Sequence, residues 1–124
     1  MELALVLSIL VLLLFGILEW GRVNAQIEIF EGAAREGARR AAVGEPNSGV
    51  IAAVEQHAAP FDPADPISVS VQDSPTATTC GDGGGVTTGK QVTVSWNQSF
   101  DVSIPLWKDV TFTRAIRGVF RCER

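Results

Sequence analysis

No proline precedes Pro46, so nothing in the backbone interrupts a helix before that point. Polar side chains are missing from Leu3 to Leu18, LALVLSILVLLLFGIL, with Ser8 the single exception. A run without a polar face is excluded as a surface helix; lipid or copies of the same run must cover it. No basic side chain stands before the run, and no clear small-x-small site follows it, which counts against a secretory signal peptide. Cysteine is scarce: Cys80 and Cys122 are the only two, far apart and without CxxC spacing, which excludes a paired-cysteine metal site. Basic residues form no patch and the net charge is −4, so nucleic acid is excluded as a partner.

Two acids bracket the apolar run, Glu2 at its head and Glu19 at its foot. The run alone is about 16 residues, short of the roughly 20 that span a bilayer. Extension through Trp20 and Gly21 to Val23 reaches that length and brings Glu19 to the far interface. A single-span anchor fits, and so does a helix held first in a membrane and later in a packed assembly. Arg22, Arg35, Arg39 and Arg40 follow the run. Taken alone, that bias puts the C-terminal side in the cytoplasm. The two cysteines point the other way. Their simplest use is one disulfide, which requires an oxidising compartment and closes a loop of about 43 residues worth on the order of 4 kcal/mol. Two unrelated free thiols are the alternative. A basic leader upstream of Met1 would resolve the conflict.

Helical periodicity continues beyond the run. Ile27, Phe30, Ala34, Ala38 and Ala41 recur at three- and four-residue steps and form a narrow apolar stripe. Glu31 with Arg35, and Glu36 with Arg40, are acid-first (i, i+4) pairs. One helix from Leu3 to Val43 is expected, about 60 Å long. Its upper stripe is alanine and glycine. Either this lets another element approach closely, or Gly32 and Gly37 simply weaken the helix. Gly44-Glu45-Pro46 ends it. Asn47 is expected to cap a second helix from Ser48 to Ala59, with Val50, Ile51, Val54 and Ala58 on one side. Pro60, Pro63 and Pro66 form a stiff connection.

The period then changes to two. Ile67, Val69 and Val71 alternate with serines, and Val92, Val94 and Trp96 mark a second strand from Gln91. Asp101 to Ile104 extends that strand or forms a short fourth. A third strand runs from Val110 to Cys122, with Phe112, Ile116 and Phe120 expected inward. Residues 73–89 read as loop, and Ile104-Pro105-Leu106-Trp107 as a turn with an anchoring tryptophan. The expected fold is α+β, a long hydrophobic helix and a short second helix packed on a small antiparallel sheet. Its expected segments are 1–23, a membrane or filament-core helix; 24–44, its amphipathic continuation; and 45–124, a small disulfide-linked globular domain.

Catalytic and ligand motifs are sparse. His57 is the sole histidine and has no serine or cysteine motif beside it. Gly81 to Gly89, GDGGGVTTG, lacks the lysine spacing of a phosphate loop and the strand-to-helix setting of a dinucleotide site. Asp62, Asp65, Asp73 and Asp82 fit no EF-hand spacing. Asn97-Gln98-Ser99 is a glycosylation sequon, meaningful only in a eukaryotic secretory pathway. The reading is therefore of a protein that is not an enzyme and uses no cofactor or metal.

Two passages carry a resemblance. ELALVLSILVLLLFGILEWGR, followed by AAREGARRAAVG, resembles the N-terminal region of TadE-like pilins, the minor pilins or pseudopilins of the tight-adherence (Flp-type) pilus. It covers about the first 44 residues, and Phe120-Arg121-Cys122-Glu123 resembles the family's weaker C-terminal pattern. The resemblance implies that Glu2 is the pilin-type glutamate and that a prepilin peptidase cuts a few residues before it, within an upstream leader. It implies a subunit placed in the cytoplasmic membrane with its sheet domain outside, then packed by its helix into an extracellular filament for surface attachment. The implied partners are copies of itself, other pilins, the bilayer and the pilus assembly machinery. Assembly residues would be Glu2, paired with a neighbour's terminal amine, with Glu19 and Arg22 as a local (i, i+3) pair or partners of a neighbour. The competing expectation is a membrane-tethered extracytoplasmic binding module that never polymerises. A secreted enzyme with a pocket around His57 or the aspartates is a further rival.

Overall fold

A computed structural model describes residues 1–64, 66–82, 87–105 and 108–123. Helix α1 spans Glu2–Ala42 and α2 spans Asn47–Ala58. Strands β1 (Ser68–Val71), β2 (Gln91–Val102) and β3 (Val110–Arg121) form one antiparallel sheet in the order β1-β2-β3. The fold is α+β, with one long apolar helix, one short helix and a small sheet. Asp65, Gly83–Gly85, Leu106 and Trp107 lie outside the described residues, and with them the expected glycine-rich loop centre and the tryptophan turn.

The absence of proline lets α1 run unbroken for about 60 Å. It stops at Gly44, which adopts φ 86°. Gly44 N–H donates to Ala41 O and Glu45 N–H to Arg40 O, both at 3.2 Å, so the turn closes the last carbonyls on themselves. The domain adds two donors here: Cys80 N–H donates to the same Ala41 O (2.9 Å) and Glu123 N–H to Ala42 O (3.3 Å). Cys80 and Cys122 form a disulfide with Cα atoms 5.6 Å apart, so the covalent tie sits directly at the helix end.

The start of α2 differs from expectation. Pro46, not Asn47, is the capping residue. Pro46 O already accepts from Gly49 and Val50, which puts Asn47 inside the first turn. Asn47 Oδ1 is buried with no hydrogen-bond partner among the described residues. Val50, Ala53, Val54 and Ala58 are buried, and Ile51 is half-buried.

The core lies between the upper half of α1, the sheet and α2. Every residue of the expected helix stripe is buried, joined by Val23, Ala33, Gly37 and Ala42. Of the two glycines in this half, Gly37 is where elements converge. A Cβ there would lie 2.5 Å from Val54 Cγ2 and 3.7 Å from both Val50 and Val94. Gly32 faces open space. A second close approach is at Gly118 of β3, where a side chain would collide with the α1 backbone at Ala34 and Arg35. Phe30 centres the aromatic cluster, with ring centroids 6.0–6.2 Å from Phe61, Trp96 and Phe100. Trp96 Nε1 and Ala64 N both donate to Gln98 Oε1, at 3.1 and 2.8 Å.

The β2–β3 hairpin is longer than its alternation suggested. β2 continues to Val102, and the register pairs Gln91 with Arg121 at one end and Val102 with Val110 at the other. On β3, Ile116 is fully buried and Phe112 half-buried, but Phe120 is exposed. Phe120 is on the inward face. However, α1 meets β3 at Gly118, so Phe120 stands beside the helix flank at Gly32 and Ala33 instead of beneath it.

Candidate membrane and assembly segment

The two halves of α1 meet very different surroundings. From Val23 upward the helix is packed on the sheet and α2. Below it, every large apolar side chain from Leu3 to Leu18 is exposed, with Leu3 at 83% and Leu10 at 61%. The helix is long and apolar enough to cross a membrane, and none of its apolar window is buried within the chain. Burial of a Leu-sized side chain contributes on the order of 2 kcal/mol, so this surface has a large unmet drive for lipid or protein. The one polar side chain of the run is already satisfied: Ser8 Oγ donates to Ala4 O at 2.6 Å.

Glu2 lies in the first turn of α1, where its charge complements the helix dipole. Among the described residues it has no ion-pair partner. It stands about 25 Å along the helix from Glu19, so these two acids act separately within one chain. Glu19 and Arg22 come together at 2.6 Å, the local (i, i+3) pair. Glu19 also accepts from the backbone N–H of Ser103 at 3.2 Å, just past the end of β2. Nothing in the sequence pattern signals that contact, because it depends on how far the hairpin descends beside α1.

Higher up, Glu36 accepts two hydrogen bonds from Arg39 (2.9 and 2.8 Å) and one from Arg40 (3.1 Å). The Arg39 and then the Arg40 hydrogen bonds hold its carboxyl well below the ordinary 4.5, at about 2. Glu31 pairs with Arg35 at 3.7 Å and, across the fold, with Arg114 of β3 at 3.1 Å. The sequence reading missed Arg39 and Arg114 as partners. The i, i+3 spacing could have revealed Arg39; a pairing between helix and sheet has no local signal. Gly118 was missed too, although an isolated glycine inside a strand is a recognisable sign of close backbone approach.

His57 is exposed beside Phe120 in a shallow groove. Asp62, Asp73 and Asp82 join no cluster of three metal-ligating residues among those described. Asp65 lies outside them.

The model for the TadE-like protein family matches residues 1–39, the apolar run and most of the packed half of α1. No curated protein and no solved structure matches the chain.

Proposed function

We propose that this chain, whose α1 carries a TadE-like segment, is a structural pilus subunit of the tight-adherence type, a TadE-like pilin or minor pilin. It is held in the cytoplasmic membrane by α1 with its sheet domain on the extracytoplasmic side. From there the assembly machinery packs it into a filament for surface attachment. It acts without catalysis. The observation that supports this reading is the division of α1 over residues 1–39: the family match spans a helix whose upper half is built into a domain and whose lower half buries none of its large apolar side chains. A helix of that kind can exchange lipid for protein around one unchanged apolar surface. The Cys80–Cys122 disulfide agrees with an extracytoplasmic domain.

In this reading Glu2 is the assembly residue. A carboxylate at the edge of an apolar run is costly unless paired, and the terminal amine of a neighbouring subunit is the complementary partner. Processing by a prepilin peptidase supplies that amine. Imaging of filaments sheared from cells, with N-terminal sequencing of this protein within them, tests the proposal. The expected result is the protein in filaments with a mature terminus just ahead of Glu2, and its loss from them on Glu2→Ala. Recovery only from membranes, unprocessed and unaffected by Glu2→Ala, would replace the pilus subunit with a tethered binding module that does not polymerise.

A further inference from the structure

The β2–β3 hairpin reaches back along α1 as far as the apolar run itself. At its lower end a cleft of about 490 Å³ separates hairpin from helix, lined by Leu12, Gly16 and Trp20 on one side and Val102, Ile104 and Phe112 on the other. Apart from Glu19 and Ser103, which hydrogen-bond across it, the lining is apolar. The cleft is open beside Gly16, where even an added Cβ would meet nothing within 4 Å. Ile104 and Val110 remain exposed at the rim, at 38% and 47%.

Depth decides what fills this cleft. Leu12 lies about 10 Å below Glu19 along the helix. Leu3 to Leu18 covers only about 24 Å, less than the roughly 30 Å of a bilayer's hydrocarbon core. Spanning therefore draws the level of Glu19 and Trp20 into the interface, or thins the bilayer around it. In either case the hairpin end that abuts Leu12 and Gly16 is carried into lipid with the helix. The Ser103–Glu19 hydrogen bond ties the two elements at that level.

We propose that the hairpin end, Ser103–Pro105 with Val110, is a second membrane-contacting element, and that phospholipid acyl chains fill the cleft between it and α1. The contact rests on the membrane-anchored reading and adds to it: the domain is held on the bilayer at two points, which restrains its tilt and rotation. At this level Arg22 is paired with Glu19, and Lys108 is offset by Asp109 and Asp101, so no net positive charge faces the bilayer. The contact is therefore apolar, insensitive to salt and independent of anionic lipid.

The test uses the full chain in phosphatidylcholine vesicles, with a nitroxide attached in turn at Ile9→Cys, Ile104→Cys and Glu55→Cys, and the native disulfide verified in each. Collision with oxygen and with a water-soluble nickel chelate reports depth. The expected order is Ile9 deepest, Ile104 at the acyl–headgroup boundary, and Glu55 in water, with the Ile104 oxygen-to-nickel ratio several-fold above that of Glu55 and unchanged by salt. Ile9 immersed with Ile104 as aqueous as Glu55 would overturn the second contact alone. Both Ile9 and Ile104 aqueous would overturn the anchoring reading and this one with it. Ile104 shielded from both reagents would show protein in the cleft instead of lipid, and would also overturn the proposal.

Discussion

Residues 2–22 and 23–42 continue one another in the same helix with the same hydrogen-bond ladder, yet Leu10 is 61% exposed and Val23 only 1%. In the lower half, Leu3 to Leu18 carries leucine, valine and isoleucine on all sides. The upper half has a narrow buried stripe, large at Val23, Ile27 and Phe30 and small from Ala33 to Ala42, with its arginines and glutamates outside that stripe. Small side chains let the α1 backbone meet β3 at Gly118, and Gly37 makes room for the Val54 side chain of α2. Large side chains on every face suit a surrounding that is itself apolar and has no fixed shape, which lipid or other helices supply. One half is therefore specified by shape, the other mainly by solubility.

That contrast can be broken from either side. The largest effect is expected from Cys80→Ser with Cys122→Ser. Loss of a loop closure of about 43 residues should cost about 4 kcal/mol, read as a lower thermal midpoint of the domain in detergent. A midpoint within a degree of the parent would place the fold's stability elsewhere. Gly118→Val drives a branched side chain into the α1 backbone and should cost about 3 kcal/mol by denaturant titration. Ala38→Leu in the packed half should cost about 2 kcal/mol, whereas Leu10→Ala in the uncovered half should change domain stability by less than about 0.5 kcal/mol. Equal effects from those two would abolish the division between the halves.

The smallest effect concerns Glu36. Its carboxyl is held at about 2 against an ordinary 4.5, so its contribution is fully present above about pH 4.5 and lost as pH falls through 2. With Arg39 more than half exposed and Arg40 about a third exposed, screening limits this contribution to about 1 kcal/mol or less. Glu36→Gln should therefore be slightly less stable than the parent at pH 7 and converge with it near pH 2. A gap that persists at pH 2 would mean the effect is packing, not charge.

Much of this was legible in the sequence because it is periodic. The helix, its buried stripe, its glycine stop and the alternating strands follow from local repeats of 3.6 and 2 residues. The α2 cap falls on Pro46 and not on the expected Asn47, because both can begin a helix and the choice depends on where the preceding turn delivers the chain. Phe120 was placed inward correctly by alternation but not covered, since alternation chooses a face and cannot say where the covering helix lies. The candidate site divides the same way. The Glu19–Arg22 pairing is a matter of local spacing, whereas the contact of Glu19 with Ser103 joins residues far apart in the chain.

By itself, the sequence determined that residues 3–18 cannot face water, that one helix continues past them into an amphipathic stripe, and that a small sheet follows. These are consequences of composition and short-range period, which every few residues of chain express independently. Only the tertiary structure decided that α1 meets β3 at Gly118, that the Cys80–Cys122 bridge lies at the helix end, and that the β2–β3 hairpin descends to Glu19 and opens a cleft above Leu12. Those features depend on strand length, register and the closeness of two backbones at once. They are set by mutual packing over long separations; a local pattern such as the lone strand glycine can signal a close approach but cannot name its partner.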